Sequence, residues 1–141
     1  MDRIPKLRTA LLLFSSVTIL ACSTAQPSLT GNTPQWEKIG EKKVDRKLDR
    51  DEIFVLKSND LFTAIQFRVS RSSVNIARCS IYFDNGKVKD VKLGQNIGEG
   101  GQSKTIKFGL FGARAVTKVV VWYDTMDDNA KKSVVEVWGQ R

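Results

Sequence analysis

After Trp36 the chain alternates between hydrophobic and polar positions with the period of two that a half-buried strand requires. Leu61, Thr63, Ile65, Phe67 and Val69 fall on one side of this pattern, and Phe62, Ala64, Gln66, Arg68 and Ser70 on the other. Cys79, Ile81 and Phe83 alternate with Ser80 and Tyr82. Asn85-Gly86 then predicts a two-residue hairpin turn, because both positions tolerate positive φ. The return strand, Lys87 to Leu93, breaks parity between Val88 and Val91, which predicts a bulge or a sheet edge. From Val116 to Tyr123 both faces are apolar, as in a central strand. Ile53 to Leu56, Thr105 to Phe108 and Ser133 to Trp138 add short strands, and Lys38 to Val44 adds one more.

About eight short strands punctuated by turns predict an all-β fold: an antiparallel β-sandwich of the jelly-roll kind over residues 36–141. Its expected core is Ile65, Phe67, Val69, Ile81, Phe83, Val119, Val121, Val135 and Val137. The charged run from Glu37 to Glu52 offers the one helical alternative. As a helix it would stack Lys38, Lys42, Arg46 and Arg50 four apart, and like charges at that spacing repel, so a strand and a turn are expected.

The first residues follow a different pattern. Arg3, Lys6 and Arg8 precede an uncharged stretch from Ala10 to Ala21, whose twelve residues are too few to span a bilayer, which takes ~20. A basic segment followed by a short apolar one reads as a secretory signal. Ile19-Leu20-Ala21-Cys22 resembles the lipobox of bacterial outer-membrane lipoproteins, with Leu20 departing from the usual small residue. The resemblance implies cleavage after Ala21 and acylation of Cys22, and Ser23 after it points to the outer membrane. Residues 1–21 are then a signal peptide. Residues 22–35, polar and small with two prolines, form an acylated tether with little to bury.

Composition narrows the chemistry. At 141 residues, with 41% hydrophobic and 27% charged positions, the chain fits one compact domain. It has no histidine, which removes the commonest general base and every histidine metal site. With Cys22 as a thioether, Cys79 has no partner for a disulfide, and its parity places it in the core. Removal of residues 1–21 takes away three basic residues and one acidic residue, which lowers the net charge from +8 to +6.

Several clusters invite a functional reading. Asp45-Arg46 and Asp49-Arg50-Asp51 could hold Ca2+ or act as acid and base, but each carboxylate neighbours an arginine, so a salt-bridged turn into the next strand is expected. Asp127-Asp128-Asn129 reads as a hairpin loop with too few ligands for a calcium loop. The glycines from Gly94 to Gly101 lack Gly-Lys-Ser/Thr and no helix follows, so they form a loop between sheets. Lys87, Lys89, Lys92, Lys104 and Lys107 form a candidate partner-binding surface for an acidic protein face or for anionic lipid or glycan groups. Nucleic acid is not expected of an exported protein. Trp36 and Trp138 are candidate glycan-stacking residues if they share an exposed face. Otherwise Trp36, Trp122 and Trp138 fill the core.

From Trp36 to Trp138 the sequence resembles a family of small exported bacterial β-sandwich domains that includes the enterobacterial YaaI periplasmic protein. The segments that carry the resemblance are Asp45-Arg46 with Asp49-Arg50-Asp51-Glu52-Ile53, and Cys79-Ser80-Ile81-Tyr82-Phe83 before Asn85-Gly86. Ile97-Gly98-Glu99-Gly100-Gly101-Gln102-Ser103 and Val134-Val135-Glu136-Val137-Trp138-Gly139 complete it. It implies architecture and compartment and brings no catalytic residue. The expectation is a non-enzymatic protein without cofactor or metal, held to the outer membrane by acyl chains on Cys22 and facing the periplasm. Two roles remain open. One is a protein-binding accessory of an envelope assembly such as a secretion-system core complex. The other is a glycan-binding module that contacts peptidoglycan or lipopolysaccharide.

Overall fold

A computed structural model describes residues 31, 33–44, 49–125 and 132–141. The expected signal peptide, Cys22, most of the expected tether, Asp45-Arg46 and Asp127-Asp128-Asn129 lie outside the described residues.

Among the described residues nine strands run in order: β1 (Trp36–Val44), β2 (Asp49–Phe54), β3 (Leu61–Phe62), β4 (Ala64–Ser70), β5 (Val74–Phe83), β6 (Val88–Ile97), β7 (Ile106–Lys107), β8 (Arg114–Asp124) and β9 (Ser133–Gln140). A single 3-10 turn, Gly109–Phe111, precedes β8. One sheet has the order β1-β9-β4-β7. The other has the order β2-β8-β5-β6, with β3 paired to β8. Every pairing is antiparallel. The chain passes repeatedly from one sheet to the other, so the termini of the domain meet as neighbours (β1 beside β9) while the β5-β6 hairpin stays within one sheet. This is the jelly-roll arrangement of a β-sandwich.

The inner faces of the two sheets supply the core. All nine residues expected there from parity are buried in it, joined by Ile39, Ile53, Ile76, Phe108 and Tyr123 among others. β8 is central, as its apolar character on both faces predicts. Val119 and Val121 face inward, and Val120 on the outer face is also fully buried.

Three local expectations need correction. Residues 61–69 form two strands. Leu61-Phe62 pairs with β8 in one sheet, and the chain then crosses at Thr63 to begin β4 in the other. The crossing reverses parity, so Phe62 is buried and Leu61 is exposed, the opposite of the alternation read from Ile65 backward. The hairpin after Phe83 has a three-residue loop. Phe83 N–H donates to Lys87 O at 2.9 Å, Gly86 N–H donates to Phe83 O at 3.1 Å, and Gly86 has φ +78°. That geometry is a type I turn closed by a left-handed glycine. The glycine-rich loop also starts later than expected. β6 continues through Gly94, where the register with β5 shifts and φ is +53°, and ends at Ile97. Parity in Lys87–Leu93 breaks because β6 is the sheet edge.

The segment after Ile97 covers part of the β4 edge. Gly100 N–H donates to Val69 O at 2.8 Å, Val69 N–H to Gly101 O at 3.1 Å, and Ser103 N–H to Phe67 O at 2.8 Å. Ser103 Oγ accepts from Phe67 N–H at 2.9 Å, and the buried Gln66 amide donates to Ser103 O at 3.0 Å. Most of this edge is thereby paired and closed to strand addition.

Candidate functional site

The three tryptophans lie on the outer faces of the sheets, half-buried, and none enters the core. The expectation that they fill it is corrected: inward positions on β8 and β9 are taken by valines, and the indoles fall on the opposite parity. On the β2-β8-β5 face, Trp122 lies opposite Arg50 and Arg78. The Arg78 guanidinium carbon stands 4.0 Å from the ring centroid and that of Arg50 5.5 Å. Below them Glu52, Val120, Ser80 and Asp90 form the next cross-strand row, with Ser80 Oγ hydrogen-bonded to Asp90.

On the β1-β9-β4 face, Trp36 is opposite Gln140, and Trp138 sits two residues before Gln140 on β9. The two candidate glycan residues therefore share an outer face as diagonal neighbours. They differ in what surrounds them. The Arg68 guanidinium carbon lies 3.8 Å from the Trp138 ring centroid, and Trp138 Nε1–H donates to Glu136 Oε2 at 2.9 Å. Lys38 pairs with Glu41 at 2.8 Å and with Glu136 at 3.6 Å, which raises the ammonium pKa and lowers that of the Glu41 carboxyl. Trp138 is thus locked in a charged network, whereas among the described residues the Trp36 indole has no hydrogen-bond or ring partner.

A cleft of about 300 Å3 opens at this end of the sandwich, lined by Thr63, Ala64, Lys107, Gly109, Gly112 and Gln140. Its walls are small because the chain turns tightly there. Gly109 and Gly112, with φ of +62° and +64°, bracket the 3-10 turn. Beside it an ion cluster fastens the turn after β2 to the chain end: Glu37 pairs with Lys57 and, at 2.8 Å, with Arg141, which reaches Asp60 at 2.7 Å. Hydrogen bonds from Lys57 and then Arg141 hold the Glu37 carboxyl below its ordinary range, and the same contacts raise the Arg141 pKa.

The same end exposes large apolar side chains. Phe54 is 67% exposed and Leu56 84%, Leu61 is 58% exposed across the turn, and Leu110 at the tip of the 3-10 turn is fully exposed. Sequence reasoning missed this group. Ile53 to Leu56 is apolar throughout, so its parity does not show which pair faces out. Ile53 and Val55 are buried while Phe54 and Leu56 are exposed, and the sheet crossing at Thr63 turns Leu61 outward.

The five lysines do not form one surface. Lys87 and Lys89 lie over the Phe111 ring at 5.9 and 5.6 Å. Lys92 is on the outer face opposite Arg78, Lys104 lies in the segment covering β4, and Lys107 is on β7 opposite Ala64. A strand hairpin points successive side chains to opposite faces, which disperses them. The acidic group near Asp49 is also taken apart, because Asp49-Arg50-Asp51 lies in a strand and not in a turn. Arg50 and Glu52 point outward and pair at 3.2 Å, while Asp51 accepts from the buried Tyr123 hydroxyl at 2.6 Å. Among the described residues no group of three or more acidic or cysteine side chains could hold a metal ion. Cys79 is buried, and desolvation, followed by the charge of Asp90, pushes its thiol pKa up to about 12.

A family model, described as a domain of unknown function and designated DUF2541, matches residues 10–139. The chain belongs to that family. No curated protein matches the chain. Among solved structures, this DUF2541 chain is similar to AlgX of Pseudomonas aeruginosa, at 15% identity with a TM-score of 0.50. The match covers 74% of this chain but only 26% of AlgX. The likeness is one of fold: the DUF2541 sandwich corresponds to about a quarter of that longer protein.

Proposed function

We propose that this DUF2541 protein is an exported, lipid-anchored accessory of the bacterial envelope that works by docking a protein partner and carries no catalytic centre. The observation that carries the docking role is the exposure of Phe54, Leu56, Leu61 and Leu110 around one end of the sandwich. A soluble domain gains nothing by holding several large apolar side chains in water at one place, and such groups mark association surfaces. The basic signal segment and the lipobox-like Ile19-Leu20-Ala21-Cys22 support export and acylation at Cys22, with the outer membrane as destination.

Metabolic labelling with palmitate and membrane fractionation test the anchor. The wild type takes up label and sediments with outer membranes, and Cys22→Ser loses both. Gradient sedimentation after mild-detergent extraction tests the docking. The wild type runs as a complex heavier than the monomer, and the double variant Leu56→Ser/Leu61→Ser runs as a folded monomer. A wild type that runs as a monomer, or a double variant that stays in the complex, counts against the docking role.

A further inference from the structure

The four strands of the β1-β9-β4-β7 sheet place one cross-strand row across its outer face. Trp36 is opposite Gln140, Gln140 is opposite Ala64, and Ala64 is opposite Lys107. With adjacent strands ~4.8 Å apart, the row spans roughly 14 Å, enough for a short oligosaccharide laid across the sheet. The cleft lies along this row, between Gln140 and Lys107 and over Ala64, with Thr63, Gly109 and Gly112 at its walls.

The lining has the composition that sugar recognition needs. Ala64, only 1% exposed, closes the back of the cleft without bulk, and Gly109 and Gly112 add no side chain to its walls. Among the described residues the Gln140 amide and the Lys107 ammonium have no hydrogen-bond partner, so both can meet hydroxyl and acidic groups of a ligand. Thr63 Oγ1 donates to Gln140 O at 3.2 Å, which fixes the wall and leaves the hydroxyl oxygen as an acceptor. Trp36 at one end of the row is a flat aromatic surface without a ring contact among the described residues, and Lys107 at the other end is the charged group of the described lining. The lining carries three polar side chains, Thr63, Lys107 and Gln140, beside the methyl groups of Ala64 and Ala113, and it offers a bare metal ion no carboxylate.

We infer that this row and its cleft form a binding site for an anionic saccharide. The aromatic ring of Trp36 takes a pyranose face, Gln140 and Thr63 hydrogen-bond ring hydroxyls, and Lys107 pairs with the acidic substituent. Trp138 takes no part, because Arg68 already occupies one face of its indole. Leu56 and Leu61 lie outside the lining of the cleft, whereas Leu110 stands between its wall residues Gly109 and Gly112, so the Leu56→Ser/Leu61→Ser variant is the one that separates this site from the docking role.

Titration calorimetry of the full chain in detergent micelles tests this. The two probes are soluble peptidoglycan fragments, which carry carboxylates, and the delipidated core oligosaccharide of lipopolysaccharide, which carries phosphates. A neutral chitooligosaccharide is the reference. At least one anionic probe binds more tightly than the neutral one, and whichever binds identifies the source of the acidic group. Lys107→Gln weakens it roughly tenfold, the loss of one charge-assisted hydrogen bond. Trp36→Ala weakens it roughly fivefold. Lys92→Gln on the opposite face leaves it unchanged, as does Leu56→Ser/Leu61→Ser. Three results each overturn the inference: no binding of either anionic probe, equal binding of the neutral one, or equal losses in Lys92→Gln and Lys107→Gln. The last would mean that net charge alone attracts the probe. Unchanged melting of each variant separates loss of the site from loss of the fold.

Discussion

Gly139 lies flat against the ring of Phe62: a Cβ built on Gly139 would come within 2.5 Å of Phe62 Cδ1. The contact joins the two sheets, since Gly139 is on β9 and Phe62 is in the short strand paired to β8. Gly139 has no positive φ, so space alone demands the glycine. Gly139→Ala is expected to destabilise the domain by about 1–3 kcal/mol through overpacking. Thermal melting of Gly139→Ala and of Gly139→Ala/Phe62→Leu checks this. The smaller ring-free side chain recovers part of the loss, and an unchanged Gly139→Ala would place Phe62 elsewhere.

Phe67 is fully buried in the middle of β4, at the centre of the core cluster. Phe67→Ala is expected to cost about 3–5 kcal/mol, a large share of the stability of a domain this size. Equilibrium denaturation in urea measures it, with wild-type stability as the contrary result.

The architecture was legible in the sequence because period-two patterning reports which face of a strand is buried. It placed Ile65, Phe67, Val69, Ile81, Phe83, Val119, Val121, Val135 and Val137 correctly. It failed at Thr63, where the chain changes sheets and a one-residue kink reverses parity, and at the Phe83–Lys87 loop, where Gly86 alone takes positive φ. The candidate site was legible only in part. Trp36 and Lys107 were identifiable by chemistry, but they lie 71 positions apart in the sequence. Only the β1-β9-β4-β7 order places them in one row. Gln140 and Ala64 carry no signal of their own.

Cys79 is expected to resist thiol reagents in the native protein. Its burial and a pKa of about 12 leave almost no thiolate at neutral pH. With Cys22 replaced by Ser, an aromatic disulfide reagent should label no thiol in buffer and one thiol in denaturant. Rapid labelling in buffer would mean that the β5 strand opens.

Glu37 gives the domain an acid-sensitive fastening. Its folded carboxyl is held below its ordinary range by Lys57 and Arg141. The contribution is therefore complete above the ordinary carboxylate range and is lost as pH falls through the lowered folded value. Glu37→Gln is expected to melt slightly below wild type at pH 7, and the gap should close at pH 3 and narrow in molar salt. Melting curves at both pH values check it, and a gap that widens in acid would contradict the sign.

The proposed docking of an envelope protein partner rests on the end of the sandwich that bears Leu56 and Leu61. Site-specific photocrosslinking in living cells tests it most directly, with a photoreactive phenylalanine analogue placed at Leu56, at Leu61, or at Lys43 near the other end of β1. One discrete crosslinked species is expected from Leu56 and Leu61 and none from Lys43. No crosslink from Leu56 or Leu61, or the same set of species from all three positions, would contradict it.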